Sequence, residues 1–398
     1  MNRTLFIIIG AVLIVVLVAV WVYVLFFSNS PTSNTPEFAD LDMGVNTDTV
    51  VIPEPTITTE PTVDVTGPEQ IRQLTTKKVV GYQEVRFSTT SAPLAYYVES
   101  GTGHLYSIDL RSGAEKKISG TTIPNTRHAA ITPNGAYVML QSGSGRSAEF
   151  IVGQISTTSP SLTTGTIAED ISDFTAAADN TFLYAVQTNS GTIAKRYYPI
   201  SDTSETLFTV PFREAIIDWG LAATDTHYVY PKANSQLEGY LYAVENGELR
   251  RLPASGYGLT AKGTDTGVLF TTLTSTNYQS YIHNVPSSTV STAALFILPE
   301  KCVSSVQLTD LLICGGNLLS DTSRQSLDQW YKGVTTYEDG LWEIDTITGT
   351  ASYLMDITSA TGRNVDIHSL LTGYEDRYLY FINKADSSLW LFDRNPTN

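Results

Sequence analysis

Apolar and aromatic residues recur in short runs after residue 70, and turn residues separate these runs. Tyr, Thr and Val suit the pleated surface of a sheet, whereas Gly and Asp supply the turns between strands. In each of seven units, one apolar run is followed by a second run that resembles a paired strand. The pattern therefore predicts an all-β domain. The first runs begin near Ala95, Ala136, Phe182, His227, Gly267, Leu311 and Tyr378.

The seven units are evenly spaced along the chain. Five of the six intervals between them lie in the range 40–46 residues, and the last interval is 67 residues. A period of about 40–45 residues with strand-like units is typical of a β-propeller, in which each period forms one four-stranded blade. The sequence therefore predicts a seven-bladed β-propeller over residues 69–398. A string of β-sandwich modules is the alternative interpretation of the same strands.

The two ends of this domain complement each other. The chain ends just after the third strand of the last unit, and residues 70–75 form a strand-like run before the first complete unit. Pairing these segments would close the ring and remove the exposed sheet edges of an open array. We therefore expect an N-terminal strand to complete the last blade. Sandwich modules would not require such complementary ends.

A continuous apolar segment precedes the domain. Residues 5–27 contain no charged side chain. As a helix rising about 1.5 Å per residue, this segment would be about 35 Å long, enough to cross a hydrocarbon core about 30 Å thick. Cleaved signal peptides have shorter apolar runs of about 7–15 residues. We therefore expect a retained transmembrane signal-anchor helix.

The orientation of this helix is predicted from its flanking charges. Arg3 precedes the helix, and no basic residue follows it until Arg72. The positive-inside tendency then places residues 1–4 in the cytoplasm and the propeller outside the cell membrane, with a single crossing.

Residues 28–68 differ in composition from the segments on both sides. They contain six prolines, many threonines and acidic residues, and no basic residue. Such a segment cannot bury enough apolar surface to offset its chain entropy. The sequence predicts a disordered linker that acts as a stalk.

Net charge narrows the classes of partner. From residue 71 onward the chain has 23 basic and 32 acidic residues, a net charge of −9. A domain of this sign lacks the basic stripe that nucleic-acid binding requires, so no nucleic-acid partner is expected. Adhesion of the domain to anionic lipid is disfavoured for the same reason. Contact with the membrane is expected through residues 5–27.

The two cysteines are twelve residues apart, on the first and second strands of the sixth unit. With a turn centred near Leu308, Cys302 and Cys314 would lie opposite each other at about the Cα separation of an antiparallel pair, which overlaps disulfide geometry. An extracytoplasmic compartment permits disulfides, so we favour a bond. Two buried free thiols are the alternative.

No set of residues at recognisable spacing forms a catalytic, cofactor-binding or metal site. The histidines have no metal-ligand spacing, and no Gly-x-Ser-x-Gly sequence is present. No glycine-rich loop precedes a helix that could bind phosphate. We predict no catalytic residue and no cofactor. The five histidines are His104, His128, His227, His283 and His368.

The 67-residue interval places extra residues between Gly315 and Gly340, between the second and third strands of the sixth unit. Loops joining those strands emerge on the propeller face that also carries the connections between blades. Exposed aromatic residues on an inserted loop are a common recognition device. Alternatively, Trp330 and Tyr331 fold back and pack against the ring. The binding-loop candidates are Arg324, Trp330, Tyr331, Lys332 and Tyr337.

One unit carries a recognisable motif. Residues 131–138, with the sequence ITPNGAYV, resemble the Pro-Asp-Gly-Lys-Tyr-Ile repeat of TolB-like, WD40-like bacterial propellers. Asn134 replaces the usual Asp and Ala136 the usual Lys, and the Trp-Asp pair of true WD40 propellers is absent. With its apolar segment, acidic stalk and residues 328–333, the chain resembles uncharacterised membrane-anchored propellers. This resemblance implies a fold and no function.

Two functions follow as hypotheses. The first is a binding or scaffolding module for a protein, a peptide or an envelope glycan. The second is a carbohydrate-active hydrolase or lyase, with a site at the propeller axis formed by carboxylates from different blades. Two carboxylates or a histidine converging within about 6 Å in a deep axial pocket would favour the enzyme.

Overall fold

The computed structural model describes residues 70–88, 91–156, 160–220 and 226–396. The cytoplasmic segment 1–4, the transmembrane helix 5–27 and the linker 28–68 all lie outside these residues, so they stay predictions. Among the described helices, none has the length and apolar character needed to cross a membrane.

Most described residues belong to antiparallel sheets, which we number in chain order. Sheets 1 to 3 have four strands each, and the strands pair in sequence order. Sheet 1 contains β2 (Val79–Val85), β3 (Leu94–Glu99), β4 (Leu105–Asp109) and β5 (Glu115–Ser119). Sheet 2 contains β6 (Thr126–Ile131), β7 (Tyr137–Ser142), β8 (Glu149–Gln154) and β9 (Thr163–Ile167). Sheet 3 contains β10 (Ile171–Ala176), β11 (Phe182–Gln187), β12 (Thr192–Tyr198) and β13 (Thr203–Val210).

The remaining strands form one seven-stranded sheet and two four-stranded sheets. Sheet 4 contains β14 (Ala215–Asp218), β15 (His227–Pro231), β16 (Glu238–Glu245), β17 (Glu248–Gly263), β18 (Gly267–Leu273), β19 (Tyr278–Asn284) and β20 (Thr289–Thr292). Sheet 5 contains β21 (Cys302–Ser304), β22 (Leu311–Gly316), β23 (Gly340–Asp345) and β24 (Ala351–Met355). Sheet 6 contains β25 (Ile367–Thr372), β26 (Tyr378–Asn383), β27 (Leu389–Asp393) and β1 (Ile71–Thr75).

The predicted count of seven blades is wrong. Within the described ranges the structure has five four-stranded blades, and β14–β20 form one continuous sheet. The cause is β17, whose residues up to Tyr257 pair with β16 and whose residues from Tyr257 onward pair with β18. Gly256 and Gly258 take positive φ angles of 151° and 61°, which bend the strand without ending it. Sequence periodicity locates strands but does not show where hydrogen bonding between units stops.

The sheets form a β-propeller. Inner strands of successive sheets contact each other, as β2 does with β6 and β21 with β25. Closure between sheets 6 and 1 is carried by an apolar and aromatic cluster that includes Tyr97 and Leu389. The Tyr82 hydroxyl also donates to the Tyr380 carbonyl at 3.1 Å. The pairing expected between the ends of the domain is present, because β1 runs antiparallel to β27 and completes sheet 6.

Two short helices lie between strands of sheets 5 and 6. The first, α1 (Ser326–Tyr331), belongs to the segment between β22 and β23, residues 317–339, which we call the insertion. The second, α2 (Ile357–Thr361), follows β24. It begins after Asp356, whose carboxylate accepts a hydrogen bond from the Ser359 amide at 2.8 Å, and it ends at Gly362 with φ of 67°. The insertion lies where the long interval in the sequence predicts it.

Candidate binding site on the insertion

The insertion packs one side of α1 against the propeller. Leu327 and Trp330 are three residues apart and therefore share a face of the helix. Both are buried, and Trp330 is only 2% exposed. They pack with Leu273 and Tyr278 of sheet 4 and with Leu298 of the connection that leads to sheet 5. The insertion thus has an apolar core that it shares with two neighbouring parts of the ring.

A buried ion network holds the insertion in place. The Lys301 ammonium donates to Asp339 Oδ2 at 2.5 Å and to Asp366 Oδ1 at 2.6 Å, and all three side chains are almost completely buried. Asp366 also accepts hydrogen bonds from the Trp330 indole at 2.9 Å and from the Tyr337 amide at 3.1 Å. Burial raises the pKa of Asp339, and the adjacent Lys301 ammonium opposes that shift. Buried charges are tolerated when they are paired and hydrogen-bonded in this way.

The network joins three connections on one propeller face. Lys301 lies directly before β21, Asp339 directly before β23 and Asp366 directly before β25. Sequence reasoning missed all three residues. One signal was available, because Lys301 follows the apolar run of residues 294–299 after a single intervening residue, Glu300, and an ammonium group buried with such a run requires a partner. Nothing in the sequence identifies which carboxylates provide it.

The structure separates the five predicted binding-loop residues into two groups. Trp330 and Tyr337 are buried, so these two side chains pack against the ring. Arg324, Tyr331 and Lys332 are exposed. Arg324 nevertheless donates to the carbonyl oxygens of Ser235 at 3.2 Å and Ser275 at 3.4 Å, which ties the insertion to loops of sheet 4.

Two titratable groups surround Trp330 on the side of sheet 6. The Lys384 ammonium lies 3.7 Å from the centre of the Trp330 ring and also donates to the Trp330 carbonyl. Burial lowers the pKa of Lys384 to about 8. His368, on β25, has its ring 6.2 Å from that of Trp330. Part of His368 is exposed to solvent. Burial of its other side, which removes hydration, and the Lys384 ammonium lower the pKa of His368 to about 4.

We predict a decrease in stability as the pH is lowered from about 6.5 to 4. In this range an unfolded histidine, with a pKa of about 6.5, binds a proton that folded His368 does not bind. Because the unfolded state binds more protons, the free energy of unfolding decreases with decreasing pH. Denaturant unfolding at several pH values measures this slope. His368→Gln should flatten it, and an unchanged slope in that variant would contradict the assignment.

The exposed surface of the insertion includes three large apolar residues. Leu318, Leu319 and Val334 are exposed, and Leu319 is 91% exposed. Lys332 is also exposed on this segment. Single exposed apolar side chains are common on soluble proteins, whereas several on one short segment are a feature of interaction sites. The buried network therefore supports a segment whose free side suits contact with another molecule.

A disulfide joins Cys302 to Cys314 beside this network. The two residues lie directly opposite each other on β21 and β22, with a Cα–Cα distance of 4.1 Å. This is the register that the sequence predicts. β21 contains only three residues, and the disulfide adds a covalent link to its pairing with β22. Lys301 is the residue immediately before Cys302, and its position depends on this strand.

The carboxylates that converge on this face do not form an open acid–base pair. Asp339 and Asp366 both bind Lys301 and are closed to solvent. Their oxygens also accept backbone and indole hydrogen bonds, which is the arrangement of a structural ion cluster. In the part of the chain that the structure describes, no group of three or more His, Cys, Asp or Glu side chains is placed to hold a metal ion.

Comparison with known proteins gives similarity in fold. No protein-family description and no curated protein matches the sequence. Among solved structures, an oligogalacturonate lyase in complex with manganese is 10% identical with a TM-score of 0.53, over 81% of this chain and 92% of the lyase. The β-propeller domain of the trilobed protease from Pyrococcus furiosus is 12% identical with a TM-score of 0.49, over 80% and 95%. The lyase match supports the β-propeller fold. The finer resemblance to TolB-like propellers stays a prediction.

Proposed function

We propose that this protein is a binding or scaffolding module that recognises a protein or peptide partner through the outer side of the insertion. One observation carries the proposal. A segment whose inner side is fixed by a buried apolar core and a three-residue ion network presents Leu318, Leu319 and Val334 to solvent. Rigid presentation of apolar side chains lowers the entropy cost of binding. Exposure of these three apolar side chains is difficult to explain as a requirement for folding.

The proposal includes a location. The uncharged segment 5–27 and the acidic, proline-rich segment 28–68 would hold the propeller outside the cell membrane at a distance set by the stalk. The disulfide between Cys302 and Cys314 suits an oxidising compartment. These features and the motif at residues 131–138 are also the grounds on which we propose a relationship to TolB-like bacterial propellers.

Replacement of the exposed leucines tests the binding surface. In the full chain, Leu318→Ser with Leu319→Ser should reduce the yield of crosslinked partner from native membranes by about tenfold, because buried apolar anchors dominate interface energies. The matched control is Ile200→Ser, which changes a residue that is 88% exposed in the turn between β12 and β13. Quantitative crosslinking with mass spectrometry gives the yields. Equal yields from the two variants would contradict the proposal.

The alternative function is hydrolysis or elimination of glycans by carboxylates at the propeller axis. It has less support, because the two carboxylates that converge on the insertion face are paired with Lys301 and buried. A catalytic acid and base must reach the substrate directly or through one water. Release of reducing ends or unsaturated products from polysaccharides by the purified full chain would favour the enzyme.

A further inference from the structure

The outermost strand of sheet 6 has one side that pairs with no other strand of the described residues. β1 pairs with β27 and stands at the end of the strand order. The Asp393 amide donates to the Gln70 carbonyl at 2.7 Å, so these two residues form a hydrogen-bonded pair. Because such pairs alternate along an antiparallel ladder, the amide and carbonyl groups of Ile71 and Gln73 point away from β27. They point to where a further strand would pair.

A groove follows this edge of β1. Its cavity has a volume of about 470 Å³ and is lined by the four consecutive residues 70–73. Side chains of consecutive residues alternate between the two faces of a strand, so a cavity that meets all four residues runs along the backbone. The lining also includes Ala360 and Thr361 of α2 and the two apolar residues Met355 and Trp390. This volume lies in the range of cavities that hold ligands.

β1 differs from an edge strand that is protected by charge. Charged side chains, lysine above all, discourage the addition of a further strand. The outer strand of sheet 1, β5, carries Glu115, Lys116 and Lys117. In β1 the one charged residue is Arg72, and its guanidinium donates to the Leu110 carbonyl of sheet 1 at 2.5 Å. The charge of β1 is therefore held against sheet 1.

Arg363 gives the groove a positive charge. Its guanidinium donates to Gln73 Oε1 and lies 5.4 Å from the centre of the Trp390 ring. Its contact with Asp386 is long, at 3.4 Å, and both of these side chains are close to half exposed. An arginine has five N–H donors, so donors remain for a further carboxylate. None of the described residues that line the groove is acidic, although the domain has a net charge of −9.

We propose that the groove along β1 binds an extended peptide segment that carries an acidic side chain. The peptide would add to sheet 6 as a fifth strand, with hydrogen bonds to the backbone of Ile71 and Gln73. Cross-strand partners share one face of a sheet, so alternate peptide side chains would lie on the face of Ile71 and Gln73. On that face a carboxylate would meet Arg363, and apolar side chains beside it would meet Met355 and Trp390.

Matched peptides test the backbone pairing in the full chain. The probe is acetyl-Val-Thr-Asp-Thr-Val-amide, in which the valines and the aspartate share one face when the peptide is extended. N-methylation at positions three and five removes amides that would face β1, so it should weaken binding at least about tenfold. N-methylation at positions two and four changes the opposite edge and should leave the dissociation constant within about twofold. Surface plasmon resonance gives these constants.

Substitutions at Gln73 separate the backbone from the side chain. Gln73→Pro removes an amide that points away from β27, and an edge strand tolerates proline at such a position. It should weaken peptide binding about tenfold, as expected for one lost hydrogen bond. Gln73→Ala removes the side chain and keeps the amide, so it is the matched control and should bind within about twofold of the unchanged protein. If Gln73→Pro does not fold, as judged by near-ultraviolet circular dichroism, the N-methylated peptides still decide the outcome.

Arg363→Gln tests the charge of the groove. It should weaken binding of the aspartate peptide about threefold to fivefold, the range for an exposed ion pair. The same peptide with asparagine in place of aspartate should bind Arg363→Gln and the unchanged protein equally. Arg213→Gln removes the same charge from an exposed position between sheets 3 and 4 and should affect neither peptide. An equal loss for the aspartate and asparagine peptides would contradict the contact with Arg363.

Hydrogen exchange gives an independent measurement. In the protein alone the amides of Ile71 and Gln73 should exchange faster than the amide of Arg72, which faces β27, and the peptide should slow exchange at the first two. Mass spectrometry with electron-transfer fragmentation resolves single amides. Protection of Ile71 and Gln73 without peptide would show that another part of the chain or a second copy occupies the edge, which overturns the proposal.

Two results from the binding measurements would also overturn the proposal. One is the absence of binding by the aspartate peptide, and the other is equal binding of the two N-methylated peptides. The groove lies on sheet 6 and the insertion between strands of sheet 5, so peptide binding should persist in the Leu318→Ser, Leu319→Ser variant. Loss of binding in that variant would place the peptide on the insertion instead.

Discussion

Lys301→Met should lower the free energy of unfolding by about 3–5 kcal/mol, because it leaves Asp339 and Asp366 as buried carboxylates without a cation. Methionine has nearly the length of lysine, so the change removes charge with little change in volume. The two carboxylates would then repel each other, and one would bind a proton. Guanidinium unfolding followed by circular dichroism measures the change in stability.

A control in the insertion separates the effect of burial from that of charge. Lys332→Met removes the same charge two residues after Trp330, at an exposed position. It should change the free energy of unfolding by no more than about 0.5 kcal/mol. Similar effects of the two substitutions would contradict the role of Lys301. Tryptophan fluorescence should also report greater exposure of Trp330 in Lys301→Met, because Trp330 shares Asp366 with Lys301.

Removal of the disulfide should have the next largest effect. The double variant Cys302→Ala, Cys314→Ala should lose about 3 kcal/mol of stability, as expected for a closed loop of this length. Because β21 has three residues and directly follows Lys301, the insertion should become sensitive to protease before the remainder of the propeller. Denaturant unfolding and limited proteolysis, with cleavage sites mapped by mass spectrometry, measure the two effects.

A reducing agent provides the matched control. The chain contains two cysteines, so dithiothreitol should lower the stability of the unchanged protein by a similar amount and should not affect the double variant. If the unchanged protein shows no sensitivity to dithiothreitol and two reactive thiols, the cysteines are not bonded. If protease cleavage of the insertion does not change when the protein is reduced, the disulfide is not required to hold the Lys301 network in place.

The sequence locates the parts of the insertion but not their roles. The long interval between units places extra residues between Gly315 and Gly340, and the five predicted side chains all lie in the insertion that the structure shows there. Trp330 and Tyr331 are adjacent and chemically similar, yet the structure buries the first and leaves the second partly exposed. Which of two neighbouring aromatic residues faces the ring depends on how α1 docks on sheet 4. Sequence spacing in a helix of six residues does not determine that docking.

The buried ion network that holds the insertion in place comes from distant parts of the chain. Lys301, Asp339 and Asp366 meet over separations of 38 and 65 residues. No local motif marks such a convergence.

The sequence by itself determined the strands, the β-propeller class, the pairing of residues 70–75 with the last unit, and the direct opposition of Cys302 and Cys314. These features follow from periodicity and from antiparallel register, which are properties of short segments and of their spacing. Only the tertiary structure decided that β17 runs unbroken through sheet 4, which removed the predicted seven separate blades. It also decided which charges and aromatic rings are buried. Both depend on contacts between sheets, and the free energy of such contacts is set by burial that no single segment contains.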